Sequence, residues 1–452
     1  MLHNSLKRNS INSVDKKETF FITLVSRLRL EYNRASRFGY IDMLFAQIFT
    51  LIVSSGTQFF VLKLITNDNL GRIKIMQVFV GFGSLIGSLG INTAIIKFVS
   101  EMSDTREKNR CFSSGFSMVL ISSVFLICIG YVLNSLGVFS TDRIVCSLLN
   151  IYLLSLPFMI LNDFLFSFFQ GRQQFHMVSR ITIISKIASL AAIVGATYLF
   201  GIYGYLGAIV GVFIFTFSIY LFLVRDLLVQ LLSLFSKSYC YKLFAFGRFC
   251  LAANLVGFFL ASSDIILLNY LHAPLPEIGA YSVALFIIMF ISQANSSAML
   301  IALPKLSSHC TELDTVLQNL RRYERRNIIL NGALFAATLT AVPWLLEFIF
   351  GSKFHLSISY LPYLLVGYLM SSVTIPKGQA IISLNRVDMN FYGAIIVAAA
   401  NLCIVFGFIR IWGTKGAAIA AIASGILKIL CTEITWHIIL RSKRVVNHSV
   451  SV

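Results

Sequence analysis

Residues 178–224 read VSRITIISKIASLAAIVGATYLFGIYGYLGAIVGVFIFTFSIYLFLV, and this stretch decides the fold class. It contains two apolar runs, 178–200 and 206–224. A helix needs about 20 predominantly apolar residues to cross a bilayer, and both runs are close to that length. The stretch therefore predicts two consecutive transmembrane helices, and the same pattern recurs on both sides of it.

The composition of the whole chain also indicates a membrane protein. Of its 452 residues, 57% are apolar and only 12% are charged, and the mean hydropathy is +0.81. A soluble domain carries about 25% charged residues, so this much apolar surface cannot be hidden in one core. The net charge of +18 would suggest nucleic acid in a soluble protein. Here the basic residues lie in the connectors between apolar runs, so no nucleic-acid partner is expected.

Twelve apolar runs are predicted to span the membrane, with short connectors and no inserted soluble domain. They lie near 43–63, 76–96, 114–134, 145–168, 178–200, 206–224, 248–270, 280–303, 328–350, 358–380, 391–410 and 416–438. By these limits, 29 Lys and Arg residues lie on the side of the N-terminus and seven on the other side. The positive-inside rule then places both termini in the cytoplasm. The first 39 residues lack the pattern of a cleaved signal peptide.

An internal repeat is suggested by recurring residues. The pairs 208 residues apart are Phe38-Gly39 with Phe246-Gly247, Gly71 with Gly279, and Lys97 with Lys305. At an offset of 209, Ile202-Tyr203-Gly204 with Gly207-Ala208 matches Ile411-Trp412-Gly413 with Gly416-Ala417. The alternative is that Gly and Lys simply mark helix ends.

The repeat predicts the architecture. Because each repeat holds an even number of spans, the two repeats are parallel and related by an axis along the membrane normal. We therefore expect an all-α polytopic membrane protein, with 12 transmembrane helices in two six-helix bundles related by pseudo-two-fold symmetry around a central cavity. The predicted divisions are a basic cytoplasmic segment (1–39), two bundles (40–235 and 236–440) and a cytoplasmic tail (441–452).

Several stretches carry a family resemblance. FGYIDMLFAQIFTLIVSSGTQFFVLKLI (38–65) and LGRIKIMQVFVGFGSLIGSLGINTAIIKFVSE (70–101) resemble the opening of polysaccharide-repeat-unit flippases. SSDIILLNYLHAPLPEIGAYSVALFIIMF (262–290), followed by ALPKLS (302–307), is similar to the middle of that family. FIFGSKFHLSISYLPYLL (348–365) and IWGTKGAAIAAIASG (411–425) fit its later part.

The resemblance implies a function that hydropathy does not reveal. The family is the polysaccharide transporter branch of the multidrug/oligosaccharidyl-lipid/polysaccharide exporter superfamily. It implies a flippase of the bacterial inner membrane that turns undecaprenyl-diphosphate-linked oligosaccharide from the cytoplasmic to the periplasmic leaflet for O-antigen assembly. The expected partners are this substrate, membrane lipids, and a polysaccharide polymerase with its chain-length regulator. No enzymatic activity, cofactor or metal is expected.

Four other classes of membrane protein fit the sequence less well. A multidrug exporter of the same superfamily would favour acids over lysines in its cavity, because its usual substrates are cations. A peptidoglycan-precursor flippase typically has fourteen spans. A membrane polymerase or glycosyltransferase usually carries a sizeable periplasmic loop, which is not found between the predicted spans. A major-facilitator carrier has an Asp-Arg connector between spans 2 and 3, where this chain has KFVSEMSDTREKNR (97–110).

Basic residues inside the spans are the candidate ligands of the substrate. A sugar diphosphate loses its hydration in hydrocarbon, so a transporter must offer a polar and cationic path. An intramembrane charge costs roughly 2.5–3.5 kcal/mol on insertion scales and is retained for a reason. The predicted substrate-binding residues are Lys428, Lys377, Lys186, Arg180 and Arg248. Snorkelling to the headgroups is the favoured alternative for the two arginines. Lys428 is about 18 Å from either interface, beyond a lysine's reach.

Acidic residues inside the spans are the candidates for coupling or gating. These are Asp264, Asp163 and Glu433. One of them would exchange a proton during transport, and the alternative is a buried acid neutralised by a lysine. Asp264 lies within a family-like stretch, which implies structural or gating importance. Pro376 is predicted to act as a hinge, because proline removes a backbone hydrogen bond and kinks a helix. The alternative is a static kink.

Overall fold

The computed structural model describes residues 40–140, 142–299, 313–384 and 387–450, and the regular elements within these ranges are all helical. The predicted anchors Gly39 and Lys305 lie outside them. The helices are α1 (Tyr40–Leu64), α2 (Asn67–Gly87), α3 (Ile91–Glu101), α4 (Thr105–Ser135), α5 (Arg143–Leu153), α6 (Ser155–Gly171), α7 (Phe175–Val229), α8 (Leu231–Leu234), α9 (Lys237–Tyr270), α10 (Leu275–Met299), α11 (Leu313–Phe350), α12 (His355–Val373), α13 (Ile375–Ser383) and α14 (Val387–Val450). A 3₁₀ turn, Gly351–Phe354, joins α11 to α12.

These helices form a multi-spanning membrane protein, as predicted. Within the described residues, seven helical segments are long and apolar enough to cross a membrane, or eight if α5 and α6 form one bent span. Large apolar side chains point outward, among them Ile121 at 71% and Phe125 at 64% exposure on α4. Such surfaces are unfavourable in water and are expected against lipid. The count of twelve spans stays a prediction.

Helices α7 and α14 each fold back on themselves at a glycine. Gly201 has φ 60° and ψ −135°, and Gly413 has φ 59° and ψ −142°, a region that residues with a Cβ rarely adopt. Thr216 Oγ1 donates to Ser185 Oγ at 3.0 Å, although a straight helix would separate these residues by about 46 Å. Each long helix is therefore a hairpin of two arms.

The two hairpins correct the predicted offset of the repeat in this region. A Cβ at Gly204 would overlap the backbone of Ala196, and one at Gly416 would overlap that of Phe408. Gly201 thus corresponds to Gly413 and Gly204 to Gly416, an offset of 212. The predicted offset of 209, which paired Gly204 with Gly413, was wrong for these residues. Letter similarity between short motifs cannot reveal which glycine makes the turn.

Several predicted spans are interrupted. Span 2, predicted as continuous over 76–96, breaks between α2 and α3, where Leu89 and Gly90 have positive φ. A Cβ at Gly90 would overlap the carbonyl oxygen of Gly247, because α9 packs into this break. Span 4 bends by 42° between α5 and α6, just before Pro157. Span 10 breaks between α12 and α13, just before Pro376, and hinge motion there stays a prediction.

We call residues 40–235 the first half and 236–440 the second half, and this division into two bundles stays a prediction. In the first half, α1 and α6 pack against α7, and α3 and α4 pack against α6. In the second half, α9, α12 and α13 pack against α14, and α11 packs against α12. The halves meet where α2 contacts α10, and where α9 contacts α2, α3 and α4. The first helix of each half thus packs on that half's hairpin.

Candidate functional site

A cavity of about 410 Å³ lies between the two halves, and we call it the central cavity. We call the side where α1 begins the inner side and the side where α1 ends the outer side. The cavity runs from the middle of α1 toward the inner side, where α7 begins and α10 ends. Its lining residues are Thr50, Leu51, Ser54, Ser55, Phe166, Val178, Ser179, Thr182, Phe286, Met289, Phe290 and Gln293.

The two walls of the central cavity differ in chemistry. The first half contributes five hydroxyl groups, from α1 and the start of α7. The second half contributes one face of α10, with Phe286, Met289, Phe290 and Gln293 at helical spacing. Met289 and Phe290 are 63% and 44% exposed, so this apolar face is open to a ligand. The cavity therefore pairs a hydroxyl wall with an aromatic wall.

No charged side chain lines the central cavity among the residues that the structure describes. The sequence predicted a cationic path here, but the lysines singled out for it lie inside the two halves. The serines and threonines of α1 were not singled out. Their signal in the sequence is three hydroxyl residues at positions 50, 54 and 55, within the apolar run of this helix.

A second cavity, also of about 410 Å³, lies within the first half, and we call it the first-half cavity. It is lined by α6, both arms of α7 and Tyr152 of α5, and it contains the predicted residues Lys186 and Asp163. Neither side chain has a hydrogen bond or ion pair with the rest of the described chain. Asn162 Nδ2 donates to the carbonyl oxygen of Phe213 at 2.9 Å, while its Oδ1 is buried with no partner among the described residues. Phe166 and Thr182 border both this cavity and the central one.

A third cavity, of about 90 Å³, lies within the second half and contains Lys428, and we call it the second-half cavity. Lys428 and Thr432, which lie four residues apart on one face of α14, line it together. No hydrogen bond or ion pair joins the Lys428 ammonium to a described residue. Five of its lining positions lie 212 residues after positions that line the first-half cavity. These pairs are Ile181 with Gly393, Thr182 with Ala394, Ser185 with Val397, Thr216 with Lys428, and Tyr220 with Thr432.

Lys377 and Glu433 belong to an ion triad that was not predicted as such. The Lys377 ammonium forms ion pairs with Glu433 and, at 3.6 Å, with Glu324 of α11. The three side chains are 18%, 38% and 25% exposed, so they are only partly desolvated. The triad joins α11, α13 and α14 toward the inner side. Two carboxylates already neutralise this lysine, which leaves it less available to a phosphate.

The two predicted arginines lie at the surface. Arg180 follows the cavity residue Ser179 near the start of α7, and its side chain is exposed. Arg248 is exposed on α9, with its guanidinium 4.9 Å from the centre of the Phe249 ring. Both positions agree with the snorkelling alternative. A role of either arginine in substrate binding stays a prediction.

The predicted gating residue Asp264 lies at the contact between the halves. Tyr281 Oη of α10 donates to Asp264 Oδ2 of α9 at 2.6 Å, and Tyr281 is 1% exposed. The neighbouring contact of α2 with α10 is very close, because a Cβ at Gly71 would overlap Leu275 and one at Gly279 would overlap Asn67. Asp264 thus lies next to a tight seam on the outer side of the central cavity.

Lys353 closes the outer end of this seam. Its ammonium donates to the carbonyl oxygens of Leu62 and Ile65, at 2.5 Å each, at the outer end of α1. Asn67 Nδ2 donates back to the carbonyl oxygen of Lys353 at 2.9 Å. Because Lys353 belongs to the second half and the other residues to the first, these bonds tie the halves together.

An aromatic layer separates this tie from the central cavity. The Phe59 ring of α1 stacks on Phe350 at 6.4 Å and meets the cavity residue Phe286 edge-on at 6.4 Å. Phe350 contacts the fully buried Phe354 at 5.0 Å. The outer end is therefore closed by apolar rings and hydrogen bonds, while the cavity lies on the inner side of them.

Comparison with known families identifies most of the chain. The family model described as "Polysaccharide biosynthesis protein" matches residues 39–309, which is more than half of the sequence. No curated protein matches the sequence.

Solved structures of transporters share the fold. The inward-facing conformation of a multidrug resistance MATE family transporter of the MOP superfamily has a TM-score of 0.69 at 14% identity, covering 87% of this chain and 95% of that one. Lipid II flippase MurJ in an inward closed conformation has 0.68 at 15% identity, covering 88% and 87%. An outward-facing conformation of a MATE family transporter of the MOP superfamily has 0.58 at 13% identity, covering 91% and 96%.

At these identities the likeness concerns the fold alone.

Proposed function

Because this chain belongs to the polysaccharide biosynthesis protein family, we propose that it is a flippase for a lipid-linked oligosaccharide. The substrate is an undecaprenyl-diphosphate-linked repeat unit, which moves from the cytoplasmic to the periplasmic leaflet of a bacterial inner membrane during O-antigen assembly. Both termini are cytoplasmic, so the inner side of the molecule is the cytoplasmic side. A polysaccharide polymerase and its chain-length regulator act on the product.

The observation that carries this proposal is the central cavity. It lies between two halves that meet tightly on the outer side, and it offers hydroxyl groups on one wall and aromatic rings on the other. A glycan has hydroxyl groups that need hydrogen-bond partners whenever they leave water. A cavity with these two walls meets that need, and the acyl chain can stay in the lipid.

The proposed cycle follows from the contacts at the outer end. The substrate enters the central cavity from the inner side. The halves then separate at the outer seam, where Lys353 leaves the carbonyl oxygens of α1 and the Phe59 and Phe350 rings part. Lys186, Lys428 and Lys377 are proposed to influence substrate binding from within the halves, and Asp163, Glu433 and Asp264 to couple or gate the movement.

A multidrug exporter with the same fold is less well supported. Such a protein binds cationic drugs, and a desolvated cation needs a carboxylate partner. Among the described residues that line the central cavity there is no acid. The proposed activity is also transport and not catalysis.

The test is deletion of the gene, followed by analysis of lipid-linked glycans and surface polysaccharide. We expect lipid-linked repeat units to accumulate on the cytoplasmic side and surface polysaccharide to be lost. Expression of the intact protein should restore the polysaccharide, and expression of Lys353→Glu, which reverses the charge at the outer tie, should not. Normal surface polysaccharide in the deletion strain would contradict the proposal.

A further inference from the structure

We propose that the central cavity binds an uncharged sugar of the transported glycan, with the sugar's hydroxyl groups against α1 and α7 and its apolar face against α10. This inference rests on the proposed function and names the part of the substrate that the cavity accepts. The diphosphate and acidic sugars are then poor ligands of this cavity.

The part of the hydroxyl wall that α1 contributes is free to bind a ligand. In helices, Ser and Thr hydroxyls commonly donate to the carbonyl oxygen four residues earlier. Thr57 does so to Val53 at 2.7 Å on α1, and Thr182 does so to Val178 at 2.8 Å on α7. Ser54 and Ser55 have no hydrogen bond with the described part of the chain. Two adjacent hydroxyls therefore face the cavity with their bonding capacity unused.

The aromatic wall fits the other side of a sugar ring. Phe286 and Phe290 lie four residues apart, so they occupy one face of α10. An aromatic ring offers a broad apolar surface whose face is electron-rich, and the C–H face of a pyranose is apolar and weakly positive. A sugar held between α1 and α10 thus satisfies its hydroxyl groups on one side and buries its C–H face on the other.

The absence of charged groups among the described lining residues makes the cavity selective for uncharged sugars. A carboxylate or phosphate in this cavity would lose water without gaining a cationic partner among the described lining residues, which is strongly unfavourable. Of the two candidate cations on α7, Lys186 lines the first-half cavity instead, and Arg180 is exposed and is not among the lining residues of the central cavity. The cavity therefore rejects a uronic acid while accepting the hexose of the same shape.

The experiment uses the full-length protein in vesicles of phosphatidylethanolamine and phosphatidylglycerol. Two polyprenyl-diphosphate disaccharides are compared, identical except that the terminal sugar carries a hydroxymethyl group in one and a carboxylate in the other. Translocation is measured as protection from a glycosidase that cannot cross the membrane. We expect the neutral substrate to be translocated at least tenfold faster.

Variants of residues in the cavity wall test whether the preference for the neutral substrate arises in this cavity. We expect Ser54→Ala with Ser55→Ala to slow the neutral substrate at least fivefold. The matched control is Thr57→Val on the same helix, whose hydroxyl already bonds to the backbone, and its rate should stay within twofold of wild type. Ser55→Lys adds a cation to the wall and should narrow the preference for the neutral substrate at least threefold.

The possible results distinguish a failure of this inference from a failure of the proposed function. Equal rates for the two substrates with the wild-type protein would overturn this inference and leave the proposed function standing. No translocation of either substrate would count against the proposed function itself. If the double variant fails to elute as a folded protein in size-exclusion chromatography, the substrate preference of wild type and of Ser55→Lys still decides the question.

Discussion

The first-half and second-half cavities lie at equivalent places in two hairpins, yet they differ in volume and charge. The cavity inside α7 measures about 410 Å³, whereas the one inside α14 measures about 90 Å³. The offset of 212 that aligns Gly201 with Gly413 also aligns five pairs of lining residues. The two hairpins therefore share a backbone arrangement, but different side chains line their cavities.

The lysine of each cavity comes from a different arm of its hairpin. Lys186 lies on the first arm of α7, where the second half has Ala398. Lys428 lies on the second arm of α14, where the first half has Thr216. The first-half cavity also holds Asp163, whereas the acid of the second half, Glu433, is paired with Lys377 outside the cavity. The comparison thus contrasts charges without a partner in the described structure, Lys186, Asp163 and Lys428, with charges that form ion pairs.

The largest change in stability is expected from breaking the paired charges. Lys377→Ala leaves Glu324 and Glu433 facing each other, and because all three side chains are partly exposed we expect a loss of about 1–3 kcal/mol. The midpoint of thermal unfolding in detergent should fall by several degrees. Adding Glu433→Gln should recover at least half of the loss. An unchanged midpoint for Lys377→Ala would mean that the triad does not tie α11, α13 and α14 together.

An unpaired charge in the first half should affect transport and not stability. Asp163→Asn removes a carboxylate that has no partner in the described structure, so we expect an unchanged unfolding midpoint. If this acid exchanges a proton as proposed, translocation in vesicles should fall tenfold or more. Asp226→Asn, on the same hairpin with a side chain 91% exposed, is the control and should transport normally. Full transport by Asp163→Asn would remove this residue from the coupling mechanism.

The smallest effect is expected in the second-half cavity. Lys428→Met replaces an unpaired ammonium with an apolar side chain of similar length, and we expect stability to rise by up to about 1 kcal/mol. Lys186→Met should change stability less, because the larger cavity leaves more room for water around that ammonium. The measurement is the unfolding midpoint in one detergent. A lower unfolding midpoint for Lys428→Met would show that the ammonium has a stabilising partner. It would contradict the conclusion that Lys428 is unpaired.

Much of the fold follows from local sequence. Apolar runs such as 178–200 and 206–224 predicted crossing helices, and the turn between them is where α7 folds back. The contact of Gly71 with Gly279 joins two residues that the sequence had paired as repeats. Short motifs misplaced the repeat by three residues at Gly413, because several nearby glycines match equally well in letters.

The candidate site was predicted only in part. The sequence identified Lys186, Asp163 and Lys428 as unusual, since a charge in an apolar helix stands out from its neighbours. It missed Ser54 and Ser55, because small hydroxyl residues are ordinary in transmembrane helices. It also missed Lys353, which looks like any connector lysine until its ammonium is seen on the carbonyl oxygens of α1.

The sequence by itself determined that this chain is a helical membrane protein with basic connectors, because hydropathy and charge depend on each residue and its near neighbours. Only the tertiary structure decided which charges pair, which cavity each lysine lines, and which end of the seam between the halves is closed. Those properties depend on distances between helices that are far apart in the chain. The residue pattern along one helix does not reveal which other helix packs against it.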